Sequence, residues 1–135
     1  MRRIVPLVLC LALACGGDST TSEPTTASLA GTWSLQTING IPLPFVIAQT
    51  ATTKAEVLSD IVTATAAGTY TEVTQTRTTV NGQATTTTDN DAGTYTISGN
   101  TVVIRSSDGS TANGTISGST FTITTSGVAF QFKKQ

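Results

Sequence analysis

The sequence predicts an all-β protein, an antiparallel up-and-down meander of about 8–10 short strands that closes into a barrel. Three observations predict it. The 135 residues include 30 threonines, and their β-branched side chains favour extended backbone. Residue pairs that tolerate the positive φ of tight hairpin turns recur at close spacing. Between these pairs, apolar and polar residues alternate with the period of two that is typical of strands.

The predicted turns divide the chain from Gly31 onward. Asn-Gly pairs suit type I′ hairpins, and pairs that begin with glycine suit type II′ hairpins, because glycine and asparagine adopt positive φ at low cost. Two further reversals are predicted at Gly68 and at Asp108-Gly109. The hairpin pairs are Asn39-Gly40, Asn81-Gly82, Asn113-Gly114, Gly99-Asn100 and Gly118-Ser119.

Seven strands are predicted between these turns. They are Gly31–Ile38, Thr69–Val80, Ala92–Ser98, Thr101–Arg105, Thr115–Ser117, Thr120–Thr125 and Val128–Lys133. Period-two alternation within them predicts which side chains point inward. These are Trp33, Leu35, Tyr95, Ile97, Val102, Ile104, Phe121, Ile123, Val128, Phe130 and Phe132.

Two segments need separate treatment. Thr53 to Val62 has a helical interpretation, with a capping box at Thr53 and Glu56 ahead of an apolar stripe. It also has an extended interpretation, which we favour because most of its apolar residues are β-branched. Pro42 and Pro44 cannot donate ladder hydrogen bonds, so their segment is predicted at an edge, a bulge or a loop.

The start of the chain has the layout of a secretory signal, with Arg2 and Arg3 ahead of a short apolar stretch that ends at Ala14. The sequence from Leu11 to Gly16 resembles the bacterial lipoprotein box, in which the cysteine becomes acylated after cleavage. That resemblance implies lipid attachment at Cys15. The alternative is an ordinary secretory signal that leaves a free thiol in an oxidising compartment.

We therefore expect a signal peptide over residues 1–14, a lipidated flexible tether over 15–28 and a barrel domain over 29–135. The tether is polar and too poor in apolar residues to order itself. Acyl chains would hold the protein in the membrane of the cell envelope. Gly16 rather than aspartate follows the cysteine, which by resemblance to the enteric sorting rule implies the outer membrane where the host has one. We expect a monomer.

The domain begins with Gly31-Thr32-Trp33, and its later Gly-Thr-Tyr strand and closing aromatic and basic strand extend the pattern. In these features it resembles small bacterial lipocalin-like lipoproteins. The resemblance implies that Gly31 and Trp33 form the signature at one end of the barrel, where Lys133 or Lys134 packs against the indole. It also implies a binding interior, for which the candidate ligand-lining residues are Leu35, Tyr95, Phe121, Phe130 and Phe132.

The residue inventory excludes the familiar catalytic sites. The chain has no histidine, and its cysteines are Cys10 in the leader and Cys15, so Ser-His-Asp, Cys-His and histidine-based zinc sites are absent. We expect neither an enzyme, a cofactor nor a metal site. Asp89-Asn90-Asp91 has the oxygen ligands that calcium prefers but lacks an EF-hand's spacing, so a solvated loop is the favoured interpretation. The acidic balance argues against a nucleic-acid partner.

Two functions remain. The first is a lipid-anchored barrel that binds a small apolar ligand at the cell envelope. The second is a structural or protein-interaction lipoprotein with a filled barrel and no ligand. Barrels of about eight strands accommodate either a filled interior or one small ligand, so the fold alone does not choose between them.

Overall fold

The structure is a computed structural model that describes residues 26–135, and it contains ten antiparallel strands and no helix over that range. The predicted signal peptide, Cys15 and most of the tether lie outside the described residues. The strands are β1 (Gly31–Ile38), β2 (Ile41–Pro42), β3 (Phe45–Gln49), β4 (Thr53–Ala64), β5 (Thr69–Val80), β6 (Gln83–Ser98), β7 (Thr101–Ser106), β8 (Thr111–Ser117), β9 (Thr120–Thr125) and β10 (Val128–Lys134).

Consecutive strands pair from β3 through to β10, and β10 pairs with β1. A further pairing between β1 and β4 closes the sheet, so that eight strands, β1 and β4–β10, form a barrel. The short strand β2 extends the edge of β1, where Pro42 lies, as the prolines predict. The predicted all-β antiparallel meander and its closure into a barrel are confirmed.

Three of the strands are longer than the barrel wall requires. Residues 53–57 of β4, 76–80 of β5 and 83–87 of β6 pair with one another and with β3. They form a four-stranded sheet that we call the extension. Strand β7 pairs with β6 only from Gly93 onward, so the first part of β6 is an exposed edge. Threonines at 85–88 lie on this edge.

The segment from Thr53 to Val62 is a strand, which confirms the favoured extended interpretation. It lies within β4, which pairs with β5 along its whole length apart from a bulge at Leu58. The bulge inserts one extra residue, so side-chain facing changes between the extension and the barrel wall. After it, Asp60, Val62 and Ala64 all face the interior and are buried.

Most predicted turns are confirmed by the backbone. Asn39 and Gly40 have φ of 50° and 77°, and Asn81 and Gly82 have φ of 49° and 81°, as a type I′ turn requires. Gly99 and Gly118 each have φ of 60°, which suits the first central position of a type II′ turn. The reversals at Gly68 and Asp108-Gly109 are also present.

One predicted turn is wrong. Asn113-Gly114 lies inside β8 rather than between two strands. A Cβ on Gly114 would lie 2.8 Å from Cε2 of Phe121 and 2.7 Å from the carbonyl oxygen of Thr122. This glycine therefore allows a large aromatic ring to pack against the strand, a role that the Asn-Gly pattern does not distinguish from a turn.

The solvated loop predicted at Asp89-Asn90-Asp91 is also wrong, because these residues lie inside β6. Their long pairing with β5 extends the strand well before the predicted start at Ala92. Low β-propensity of Asp and Asn is overridden here by a complete ladder to the neighbouring strand.

The hydrophobic core lies inside the barrel, and every predicted inward residue lies in it or packs against it. The buried members are Leu29, Trp33, Leu35, Ile38, Val62, Ala64, Tyr70, Tyr95, Val102, Ile104, Ile116, Phe121 and Phe132, with Ile97, Ile123, Val128 and Phe130 partly buried against them.

Candidate functional site

One end of the barrel, which we call the Trp33 end, is filled by side chains. Trp33 is fully buried, and its indole N–H donates a 2.7 Å hydrogen bond to the carbonyl oxygen of Leu29. Phe121 meets the indole edge-on at 5.8 Å between ring centroids, and Phe132 lies 5.7 Å beyond it. The ammonium of Lys134 lies 5.3 Å from the centroid of the Trp33 ring. These contacts close the Trp33 end with apolar surface and a cation–π contact.

The opposite end, which we call the cavity end, is where β7 ends, β8 begins and β9 ends. It holds a cavity of about 240 Å³. The cavity has an apolar wall, a set of hydroxyl groups and three carboxyl groups. The apolar residues are Val62, Ile104, Ala112, Ile123, Phe130 and Phe132, the hydroxyl residues are Tyr70, Ser106, Ser110, Thr111 and Thr125, and the acids are Asp60, Glu72 and Asp91.

Asp60 is the most deeply buried of these acids, with 6% of its surface exposed. Its Oδ1 atom is buried and has no hydrogen-bond partner within residues 26–135. Burial raises the pKa of Asp60 from 3.8 to about 8, and the neighbouring carboxyl of Glu72 adds to the rise. A buried polar atom without a partner costs about 1–3 kcal/mol, so this residue destabilises the fold as it stands.

The three acids come from three neighbouring strands and share the inward face. Glu72 on β5 lies opposite Val62 on β4 and opposite Asp91 on β6. Asp60 lies two residues from Val62 and therefore diagonally from Glu72 on the same face. Like charges directly opposite each other destabilise a sheet, so this arrangement opposes folding stability.

Asp91, unlike Asp60, has several partners. It accepts hydrogen bonds from the hydroxyl groups of Ser106 at 2.6 Å, Tyr70 at 3.1 Å and Ser107 at 3.2 Å. The hydrogen bond from Ser106 is the largest cause that lowers the pKa of Asp91. Burial, partly offset by Ser106, raises the pKa of Tyr70 to about 12. Asp91 is therefore a fixed negative charge at the cavity end.

Gly93 makes room for this arrangement. A Cβ at this position would clash with the carbonyl oxygen of Arg105 and would lie 2.8 Å from Cε1 of Tyr70. Only glycine therefore lets the Tyr70 ring lie against β6. That close approach brings the tyrosine hydroxyl to Asp91 two residues earlier on the same strand.

No lysine or arginine is among the residues that line the cavity. The ion pairs of the described chain lie elsewhere, on the extension, where Glu56 contacts Lys54 at 2.6 Å and Arg77 at 2.7 Å. The hydrogen bonds from Lys54 and then Arg77 lower the pKa of Glu56. The protein thus neutralises one buried acid on the extension and leaves the acids of the cavity without a cation.

The predicted ligand-lining residues divide between two places. Phe130 and Phe132 line the cavity. Leu35, Phe121 and Tyr95 lie in the core away from it, and the Tyr95 hydroxyl donates to the carbonyl oxygen of Thr65 near the Trp33 end. The signature residues Gly31 and Trp33 lie at the Trp33 end, and Cys15 lies before the described residues.

Sequence reasoning missed the three acids. The alternation that placed Tyr95 inward also places Asp91 inward, four residues earlier on the same strand. Likewise Glu72 is two residues from Tyr70, and Asp60 is two residues from Val62. The period of two therefore predicts an inward position for all three acids, although charged side chains are typical of exposed positions.

Two further features are absent from the described residues. Within residues 26–135, no group of three or more histidine, cysteine, aspartate or glutamate side chains is arranged to hold a metal ion. The same range contains no helix with the length and hydropathy of a membrane span.

Comparison with known proteins gives one match. Residues 29–126 match the model of a family described as "Lipocalin-like domain". The match spans most of the chain, from before β1 to the end of β9. No curated protein matches the sequence.

Proposed function

Because the chain belongs to the lipocalin-like domain family, we propose that it binds a small, largely apolar molecule in the cavity of its barrel. The observation that carries this proposal is the cavity of about 240 Å³ at one end of an otherwise packed interior. Ligand sites are concave and mostly apolar with a few polar groups, which describes the lining here. The alternative function required a filled barrel, and the cavity favours the binding function over it.

The size of the cavity limits the ligand. A cavity of about 150 Å³ holds benzene, so a volume of about 240 Å³ suits a molecule of roughly ten non-hydrogen atoms. Long acyl chains exceed this volume. We therefore expect ring-sized ligands rather than fatty acids.

We propose binding rather than catalysis. The chain contains no histidine, and no cysteine occurs between residues 26 and 135. Asp91 accepts hydrogen bonds from the hydroxyl groups beside it, but its lowered pKa makes it a weak base, so it activates them poorly as nucleophiles. The site supports recognition through shape and charge.

Thermal unfolding tests the binding proposal. Purified protein is screened against neutral and charged single-ring compounds, and a binder raises the melting temperature by ligand linkage. Ala112→Phe, which fills the cavity, should abolish that rise, whereas Ala84→Phe on the exposed extension should retain it. If no compound raises the melting temperature, or if Ala112→Phe leaves the rise intact, binding in this cavity is wrong.

The proposed location is the cell envelope, with the barrel held there by acyl chains on Cys15 and, in a host with two membranes, at the outer membrane. The lipobox-like sequence from Leu11 to Gly16 supports this. Metabolic labelling with palmitate tests it. Cys15→Ser should abolish the label and Cys10→Ser should retain it, while labelling that persists in Cys15→Ser contradicts the assignment.

A further inference from the structure

The cavity end combines apolar surface with an excess of negative charge. Asp60, Glu72 and Asp91 reach the cavity from adjacent strands, and the cavity has no basic side chain in its lining. Like-charged groups facing each other across a sheet reduce stability. A binding partner of opposite charge removes that cost, because a nearby cation favours the ionised form of a carboxyl group.

Asp60 supplies an independent observation. More than nine tenths of its surface is buried, it lines the cavity, and its Oδ1 has no hydrogen-bond partner in the described chain. Asp91 accepts hydrogen bonds from three hydroxyl groups. Donors are therefore present at the cavity end, but none of them contacts Oδ1 of Asp60. The unpaired oxygen is therefore a vacant acceptor position inside the cavity.

From these observations we infer that the ligand is an amphiphilic cation, a small apolar molecule whose positive group lies against Asp60 and Glu72. This inference rests on the proposed binding function and specifies the chemistry of its ligand. The apolar side of such a molecule would pack on Ile104, Ile123 and Phe130. Phe130 also supplies an aromatic ring to the lining, and such rings attract cations.

An organic cation fits this lining better than the alternatives do. A bound metal ion needs several ligands in close array, and no such array is present among residues 26–135. An organic anion would face the fixed charge of Asp91. A neutral apolar molecule would leave the Oδ1 atom of Asp60 unpaired.

The charge state of Asp60 is consistent with this inference. Without a ligand, burial and then Glu72 raise the pKa of Asp60 to about 8. The other titratable groups facing the cavity are Tyr70 on β5 and Asp91 on β6. Strands β1 and β3, which flank β4, carry no charged residue. A bound cation stabilises the carboxylate, so its affinity should rise as pH rises through about 8.

Isothermal titration of the purified protein with three matched probes tests the inference. 2-Phenylethylammonium is a cation with N–H donors, propylbenzene is its neutral isostere, and phenylacetate is an anion. We expect the cation to bind about tenfold or more tightly than the neutral isostere, equivalent to one or more pKa units of charge stabilisation. Asp60→Asn and Glu72→Gln should each remove most of this preference. Glu56→Gln, an equal charge change on the extension, should retain it.

The outcomes separate the two proposals. Equal or tighter binding of propylbenzene, in a manner that Ala112→Phe abolishes, overturns the cationic ligand and leaves the binding function in place. Preferred binding of phenylacetate overturns it as well. A cation preference that survives both Asp60→Asn and Glu72→Gln shows that the charge is recognised elsewhere. If none of the three probes binds, the cationic ligand is overturned, and the thermal screen of single-ring compounds decides separately whether the binding function stands.

Discussion

The two ends of the barrel are built from the same strands, but they differ in whether their buried polar atoms have hydrogen-bond partners. At the Trp33 end the polar atom of the largest side chain has its partner, since the indole donates to Leu29, and Lys134 covers the ring. At the cavity end Asp60 is buried without a partner for Oδ1. The first arrangement contributes stability, and the second costs stability at the proposed binding site. The difference supports our proposal that the cavity end binds the ligand, whereas the Trp33 end stabilises the fold.

The largest expected effect tests the structural role of the Trp33 end. Trp33→Ala removes a fully buried indole and should lower the free energy of unfolding by about 3–5 kcal/mol. Denaturation with urea measures this. Val103→Ala, on the exposed face of β7, is the control and should change stability little. If Trp33→Ala lowers the free energy of unfolding by less than about 1 kcal/mol, the Trp33 end does not stabilise the fold and the contrast between the two ends is wrong.

A smaller effect is expected where the cavity end depends on a close approach. Gly93→Ala should lower the free energy of unfolding by about 1–3 kcal/mol, because the new methyl group meets the Arg105 carbonyl oxygen and the Tyr70 ring. Thr94→Ala, on the exposed face of the same strand, is the control. Urea denaturation again provides the measurement, and equal stabilities for the two variants would show that Tyr70 does not need the glycine.

Asp60→Asn should stabilise the ligand-free protein, and more so at high pH. The folded-state pKa of Asp60 lies at about 8 against a usual 3.8. Its contribution to stability is therefore complete below about pH 4 and is lost as pH rises toward and through 8. Asparagine stays neutral, so its advantage should reach about 1–3 kcal/mol at pH 9 and be smaller at pH 5. Thermal unfolding at both values measures it, and a pH-independent difference would contradict the buried, unpaired state of Asp60.

The smallest effect concerns the lysine over the indole. Lys134→Met keeps most of the side-chain stem but removes the charge 5.3 Å from the Trp33 ring. The free energy of unfolding should fall by about 0.5–1 kcal/mol. Lys133→Met, which changes the neighbouring position in β10, should lose less. If the two variants unfold at the same temperature, the ammonium contributes nothing to the Trp33 end.

Local sequence patterns predicted most of the fold because the turns and the alternation act over a few residues. Asn39-Gly40 and Asn81-Gly82 form the turns that their φ preferences require, and Phe121 and Phe132 are buried as their spacing predicts. The turn predicted at Asn113-Gly114 is wrong, because Gly114 makes room for the Phe121 ring of another strand. A glycine in a turn and a glycine under an aromatic ring look the same in sequence.

The candidate site was less predictable for a related reason. Asp60, Glu72 and Asp91 are far apart in the chain, and only the pairing of β4, β5 and β6 brings them to one face. Whether a buried acid has a cationic partner, as Glu56 has on the extension, or keeps an unpaired oxygen, as Asp60 does, depends on side chains from other strands. The period of two predicts the face of the sheet on which a side chain lies, but it does not predict which side chains it contacts.

The central claim is that the cavity end binds a small cation and the Trp33 end does not. An NMR titration of isotopically labelled protein with 2-phenylethylammonium tests it most directly, because each amide reports its own surroundings. We expect shifts to cluster at Asp60, Asp91, Ile104 and Phe130, with the Trp33 indole unchanged. Shifts centred on the Trp33 end or on the extension, or no shifts at saturating probe, would contradict the account.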